Sequence, residues 1–361
     1  MNFNTIFLKS FRVVLLPLAL IYGLIIIIRN KLYDKKYFAA ARFNFPLICV
    51  GNLAVGGTGK SPMVEYLLRQ LGDQFKLATL SRGYKRKTKG YVLANAQTTA
   101  LEIGDEPMQF HINFPDVAVA SCEERLVGIP HLLQDVPGLQ AVILDDAFQH
   151  RSVVAGLNIL LTEYGNLYSQ DFFLPTGDLR DQRSSAKRAD IIIVTKCPPE
   201  VSAEKKQRII RSLRPTASQK LFFTTIDYGV PYHIFNHGDE WHLTPNDEVL
   251  LVCGIANPQP LKDYLLEKAH TYYQQDYSDH HIFSIDDLKD IKQQFEEIDA
   301  KKKIVLTTEK DAVRLIKFTE DLATLPMYVL PIRHRFLFEE GEVFNELVTG
   351  FIRNFRFNQE L

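Results

Sequence analysis

The chain has 361 residues, 46% of them hydrophobic and 24% charged, a balance that suits one or two packed domains and argues against disorder or a repeat architecture. Its formal net charge of -1 gives an extended nucleic-acid groove no electrostatic support. The four cysteines, Cys49, Cys122, Cys197 and Cys253, are widely spaced and form no Cys-x-x-Cys pair, so neither a zinc site nor a disulfide framework is expected, and the setting reads as reducing and cytosolic.

The first element departs from this average. Val13 to Ile28 is apolar except at Pro17, Tyr22 and Gly23, with Lys9 and Arg12 before it and Arg29, Lys31, Lys35, Lys36 and Arg42 after it. The run is somewhat short for a bilayer span, and Pro17 is expected to bend it. No small-x-small site follows Ile28, which argues against a cleaved signal peptide, and the heavier basic flank downstream keeps the rest of the chain cytoplasmic. Residues 1–42 are therefore read as an interfacial helix and membrane anchor set apart from the catalytic core, a buried core helix being the alternative.

Past Arg42 the pattern alternates strand and helix, which predicts an α/β fold with a parallel sheet covered on both faces. Strands are expected at Leu47–Gly51, Lys76–Ser81, Val117–Ala120, Ala141–Asp145, Asn158–Thr162 and Ile191–Thr195, several of them continuous apolar runs. Helices are expected at Pro62–Leu71, Glu106–Asn113, Glu123–Gln134 and Ser202–Leu213. This makes residues 43–224 one unit. Residues 225–245 read as a two-stranded linker around the turn Asn236-His237-Gly238-Asp239. Residues 246–361 read as a smaller α/β unit: a strand at Glu248–Cys253, helices near Pro260–Lys268 and at Ile285–Phe295, a strand at Lys303–Thr308, a helix at Glu309–Lys317 and a closing amphipathic helix around Glu342–Phe355.

Between the first strand and its helix runs Gly51-Asn52-Leu53-Ala54-Val55-Gly56-Gly57-Thr58-Gly59-Lys60-Ser61-Pro62. Glycines let backbone N–H groups wrap a polyphosphate at a helix N-terminus, Lys60 reaches the terminal phosphates, and Ser61 can ligate Mg²⁺. Ala54 stands where the strict pattern has glycine; Gly56, Gly57 and Gly59 supply the freedom instead, and Pro62 suits the start of a helix. Two acidic features follow. Asp145-Asp146 ends an apolar strand, where an acid reaches Mg²⁺ directly or through water, although aspartate there also reads as a helix cap. Asp105-Glu106 opens a predicted helix and reads equally as a cap or as a base with a metal contact.

Several motifs in order then resemble one family, the tetraacyldisaccharide 4'-kinases of lipid A biosynthesis. They are Gly51-Asn52-Leu53 with Gly56-Gly57-Thr58-Gly59-Lys60-Ser61-Pro62, Ser81-Arg82-Gly83-Tyr84, Gly104-Asp105-Glu106-Pro107, Asp145-Asp146-Ala147-Phe148-Gln149-His150, Leu174-Pro175-Thr176-Gly177 with Leu179-Arg180, Ser278-Asp279-His280-His281, and Thr308-Glu309-Lys310-Asp311-Ala312-Val313. The N-terminal Leu16-Pro17-Leu18 and Ile21-Tyr22-Gly23 are similar to the family's membrane-facing segment. The chain departs from the pattern at Ala147, where glycine is usual, and at Ser61, where threonine is commoner.

The resemblance implies a P-loop NTPase-like fold, ATP and Mg²⁺, and phosphorylation of the 4'-hydroxyl of a lipid-linked disaccharide at the cytoplasmic face of the bacterial inner membrane, by a peripheral or monotopic enzyme needing neither nucleic acid nor an obligate protein partner. It implies Asp105 as base and His280 as its partner, with Lys60 as a further catalytic group. Phosphate binding falls to Ala54, Val55, Gly56, Gly57, Thr58, Gly59, Lys60 and Ser61. The metal falls to Ser61, Glu106, Asp145 and Asp146, and the acceptor to Arg82, Tyr84, Arg125, Gln149 and His150. A membrane-anchored P-loop NTPase switch is the competing reading. Against it, Thr195-Lys196-Cys197-Pro198 puts proline where a guanine-reading aspartate belongs.

Overall fold

In the computed structural model, residues 12–269 and 271–356 are described, so Lys9 lies outside them. Helix α1 (Leu16–Asp34) comes first. Pro17 sits in its first turn, where no intrahelical N–H is required, directly after a 3-10 turn at Val13–Leu15. The first unit is built from β1 (Leu47–Asn52), α2 (Lys60–Leu71), β2 (Leu77–Ser81), β3 (Val92–Leu93), α3 (Asp105–Asn113), β4 (Ala118–Ser121), α4 (Arg125–Asp135), β5 (Ala141–Asp145), β6 (Leu157–Glu163), β7 (Ile191–Thr195), α5 (Ala203–Leu213) and β8 (Lys220–Tyr228). The second follows with β9 (Tyr232–His233), β10 (Asn236–Glu240), β11 (Glu248–Cys253), α6 (Gln259–Lys268), β12 (Thr271–Asp276), α7 (Ile285–Glu297), β13 (Lys303–Thr308), α8 (Glu309–Leu315) and β14 (Met327–Leu330). The last elements are β15 (Ile332–Phe336) and α9 (Gly341–Arg353).

Nine strands form the larger sheet in the order β15-β8-β7-β6-β1-β5-β2-β4-β3, parallel throughout except at the antiparallel edges β15 and β3. Successive side chains of a strand point to opposite faces, so a strand covered on both sides must be apolar at every position. Thus Ile48, Val50, Ile143, Ile159 and Ile193 pack in one layer, under α2 through Met63, Val64, Leu67, Leu68 and Leu71. Their alternates Leu47, Cys49, Val142, Leu144, Leu160 and Ile192 fill the opposite layer. The six-stranded sheet, β10-β9-β14-β13-β11-β12, repeats this logic at smaller scale, with Leu250, Val252 and Val305 on one face and Val249, Leu251, Ile304 and Leu306 on the other.

Two expected boundaries differ from the observed connections. The strands at 232–240 do not form a free-standing linker. They extend the six-stranded sheet by pairing antiparallel with β14, which places Tyr232 opposite Val329. Nor does the chain after Leu330 stay with the smaller unit: β15 pairs with β8, and α9 buries Phe344, Val348 and Ile352 in the same layer as α2. The i, i+4, i+8 apolar stripe of α9 is therefore spent on the first sheet rather than on a membrane.

Helix α1 has two sides. Leu18, Leu20, Ile21, Leu24, Ile25 and Ile28 are exposed, whereas Ala19, Gly23 and Asn30 are buried, which is not the pattern of a core helix. Among the described residues it is the one helix long and apolar enough to cross a membrane. Gly23 lets it approach closely, since a Cβ there would lie 2.6 Å from the Phe173 ring.

Candidate active site

Parallel α/β sheets offer their binding crevice at the carboxyl ends of the strands, and the candidate residues collect there. The glycine loop leaves β1 at Asn52, whose amide donates to Thr58 Oγ1 (2.8 Å). Thr195, ending β7, donates to the Thr58 carbonyl (2.8 Å), and the Val55 N–H donates to the Asp178 carbonyl (2.8 Å). Ala54 is buried, whereas Val55, Gly56 and Gly57 face solvent, the Val55 N–H being held by Asp178. Gly59, the residue preceding α2, has φ 86°, a left-handed conformation that favours glycine. A Cβ there would also lie 3.0 Å from the His334 ring.

His334 holds this turn from β15. Its Nε2 lies 2.9 Å from the Gly59 carbonyl and its Nδ1 2.9 Å from Thr224 Oγ1. A carbonyl only accepts, so Nε2 carries the proton and Nδ1 accepts from the threonine. Burial pushes the imidazole down to about 4, which keeps it neutral.

Lys60 opens α2, its amine pushed down by burial and supported by Asp146, whose Oδ1 is 3.7 Å away. Asp146 sits in a left-handed conformation (φ 46°) and also accepts from the Arg180 guanidinium (3.0 Å at Oδ2). Against the upward pull of burial, Lys60 and Arg180 hold its carboxyl down to about 2. Asp145 is more deeply buried; burial, with the Asp146 charge beside it, pushes it up to about 6. Ser81 donates to its Oδ2 (3.2 Å), while its buried Oδ1 has no hydrogen-bond partner among the described residues.

That orphan oxygen, with the hydroxyl of Ser61 and the carboxylate of Glu106 as further hard oxygen donors, fits Mg²⁺. Among the described residues no three His, Cys, Asp or Glu side chains form a metal centre by themselves.

Asp105 and Glu106 begin α3, and the second unit meets them there. His280, in a left-handed conformation (φ 61°), places Nδ1 3.1 Å from Asp105 Oδ2, and Lys310 reaches Glu106 (3.4 Å). A strained non-glycine backbone at such a contact is held by its surroundings. The neighbouring His281 faces away and bonds Asp287 (3.0 Å). Tyr84, exposed, lies edge-on to His280 with ring centroids 6.1 Å apart, and Arg82 is exposed beside it.

Not every expected acceptor residue lines an open cleft. Arg125 is 1% exposed and donates to the Cys122 and Asp145 carbonyls, bracing the acidic strand end from beneath. Gln149 donates to the Asn52 carbonyl (2.7 Å). His150 is pushed down to about 4 by burial, with Arg125 and Arg82 nearby, and is neutral.

Nor is α1 detached from this site, as an anchor set apart would be. Tyr22 donates to the Arg180 carbonyl (3.2 Å), Arg29 to the Gln149 carbonyl (3.0 Å), and the buried Asn30 amide to Asp181 (2.8 Å).

A parallel sheet whose glycine loop runs into a helix bearing lysine and serine, faced by carboxylates at neighbouring strand ends, defines a P-loop kinase. The chain belongs to the tetraacyldisaccharide-1-P 4'-kinase family, whose model matches residues 11–352. A tetraacyldisaccharide 4'-kinase of Flavobacterium johnsoniae is 45% identical over 326 residues, covering 90% of this chain and 93% of that protein. Its namesake in Bacteroides thetaiotaomicron is 41% identical, with coverages of 94% and 93%. The crystal structure of LpxK from Aquifex aeolicus in complex with ATP superposes with a TM-score of 0.74 at 27% identity, covering 95% of this chain and 99% of that one.

Proposed function

We propose that this chain transfers the γ-phosphate of ATP to the 4'-hydroxyl of a tetraacyldisaccharide 1-phosphate in lipid A biosynthesis. The observation that carries this reading is the convergence of the Gly56–Ser61 loop with Asp105 and His280, contributed by two units, at one end of the parallel sheet. In a direct in-line displacement the bond from phosphorus to the ADP oxygen breaks as the bond to the sugar oxygen forms, and the hydroxyl proton passes to Asp105. His280 orients that carboxylate. The loop of residues 54–59, through the backbone N–H groups around Gly56 and Gly57, and the Lys60 ammonium bind the polyphosphate, and no covalent enzyme intermediate is required. Ser61, Glu106, Asp145 and Asp146 would hold Mg²⁺, which when bound offsets charge on the β- and γ-phosphate oxygens. Asp145 is the better placed of the two aspartates, since Asp146 already serves Lys60 and Arg180.

The acceptor enters past Arg82 and Tyr84 on the exposed side, with Gln149 and His150 further in and Arg125 supporting the floor. The two units, joined after Tyr228 and again before Ile332, close on the bound substrates and exclude water that would otherwise hydrolyse ATP. The exposed leucine and isoleucine face of α1, with Arg12, Arg29, Lys31, Lys35 and Lys36 around it, rests in the cytoplasmic leaflet of the inner membrane, where an acyl-bearing acceptor resides. The test is an incubation of the purified protein with γ-labelled ATP and a tetraacyldisaccharide 1-phosphate in mixed micelles. Label is expected in the lipid phase; labelled phosphate released with no labelled lipid would overturn the reading in favour of an NTPase switch.

A further inference from the structure

The Asp105 carboxylate is held by a second group from the smaller unit besides His280. Arg314 on α8 donates to Asp105 Oδ2 through both Nε (2.9 Å) and Nη2 (2.8 Å). Its remaining nitrogen, Nη1, bonds Asp311 Oδ1 one helical turn back (3.3 Å). Asp311 is fully buried, and its Oδ2 accepts from the Thr308 hydroxyl (2.7 Å) and the Gly254 N–H (3.0 Å). The guanidinium is thus built into the ends of β11 and β13 on one side and grips the carboxylate of α3 on the other. With a side chain only 7% exposed, it has little freedom to turn elsewhere.

We propose that Arg314 is a positioning residue for phosphoryl transfer, aiming Asp105 at the acceptor hydroxyl; this rests on the kinase reading above. Among the described residues, all the hydrogen bonds made to Asp105 by side chains of the second unit fall on Oδ2. Two donors from one planar fork converge on that single oxygen and fix its place. Oδ1 is thereby left as the oxygen that meets the hydroxyl. The same geometry constrains His280. Arg314 Nη2 lies 3.0 Å from His280 Nδ1, and a guanidinium can only donate. Nδ1 therefore either gives its proton to Asp105 or accepts one from Arg314, and cannot do both. Arg314 keeps Oδ2 supplied with donors in either case, so the direction of the base does not depend on the histidine's tautomer.

The experiment compares wild type, Arg314→Gln, Arg314→Lys, Asp105→Asn and the Asp105→Asn/Arg314→Gln double variant in the labelled-lipid assay, each first checked for folding by thermal melting. A small misplacement of a reacting group costs on the order of a hundredfold. Arg314→Gln is accordingly expected to lower kcat about a hundredfold with the KM for ATP little changed. Arg314→Lys, which keeps the charge and one donor to Oδ2, is expected to recover part of that loss. In the Asp105→Asn background the same glutamine is expected to cost little more, because the residue it serves is already gone. Wild-type turnover in Arg314→Gln, a loss confined to the KM for ATP, no recovery by lysine, or losses that multiply in the double variant would each overturn the proposal. If Arg314→Gln does not fold, the lysine variant decides: reduced kcat at unchanged ATP KM supports the role, and wild-type kcat refutes it. An inactive wild type would instead refute the kinase reading, so the two failures are distinct.

Discussion

Replacing His334 by glutamine keeps the shape of its hydrogen-bonding, an N–H toward the Gly59 carbonyl and an acceptor for Thr224, while removing a group that titrates. In the native chain burial holds the imidazole at about 4, below its ordinary 6.5. The folded value lies below the unfolded one, so as pH falls the unfolded chain takes up the proton first, and stability is lost through the window between those values. At 1.36 kcal/mol per unit the loss is close to nothing above pH 7, about 2 kcal/mol at pH 5, and levels off near 3 kcal/mol below pH 4. His150 is depressed as well, but it is common to wild type and variant and cancels in the difference. Urea unfolding of both proteins at pH 7.5 and pH 5.0 measures it directly. Wild type should lose about 2 kcal/mol more than His334→Gln across that interval. Parallel losses in the two proteins would refute the placement of a buried neutral imidazole under the phosphate loop.

Three further outcomes are expected. Lys60→Ala should lower turnover by orders of magnitude in the labelled-lipid assay while the melting temperature stays close to wild type, and unimpaired turnover would remove the glycine loop from the reaction. The double substitution Asp105→Ala with His280→Ala should cost little more than the worse single change, since the contact at 3.1 Å makes one unit of two residues; fully additive losses in log rate would contradict this. Removing residues 1–34 should reduce flotation with anionic vesicles, where each Lys or Arg near the headgroups contributes about 1 kcal/mol, and raise the KM for lipid acceptor. It should also lower kcat, because Tyr22, Arg29 and Asn30 support the segments bearing Arg180 and Gln149. Full kcat in the truncated protein would make the helix an anchor and nothing more.

What was legible in the sequence followed from local rules. The strands Ala141–Asp145, Ile191–Thr195, Glu248–Cys253 and Lys303–Thr308 fall where continuous apolar runs put them. The glycine loop announces its own turn. Less visible were the edge strand β15 and the nine-residue β8, whose residues alternate or mix polarity because their meaning lies in a partner more than a hundred residues away. His334 belongs to that class: nothing beside it in the chain marks a contact with Gly59. Arg314 did carry a signal, since it directly follows Val313 of the last family motif and sits three residues after Asp311, one turn along the same helix face. Arg180 stood inside a quoted motif, yet only its fold-back against Asp146 and Asn52 gives it a chemical place. Arg125 shows the converse, since a charged residue beside the site was read as facing substrate, whereas its guanidinium is buried and donates to the Cys122 and Asp145 carbonyls beneath the site.

The return of the chain to its first sheet has a mechanical consequence. The smaller unit departs after Tyr228 and comes back at Ile332, and the two crossings run side by side, tied by the Gly229 N–H to the Pro331 carbonyl (2.9 Å). A flap on two adjacent hinges swings about a single axis, where one on a lone tether can also twist and drift. On the closure proposed above, the open arrangements from which His280 and Arg314 would approach Asp105 are correspondingly few, and less conformational entropy would be lost on closing. A proteolytic cut in either crossing would leave the flap attached by the other, whereas cuts in both would be needed to set it free.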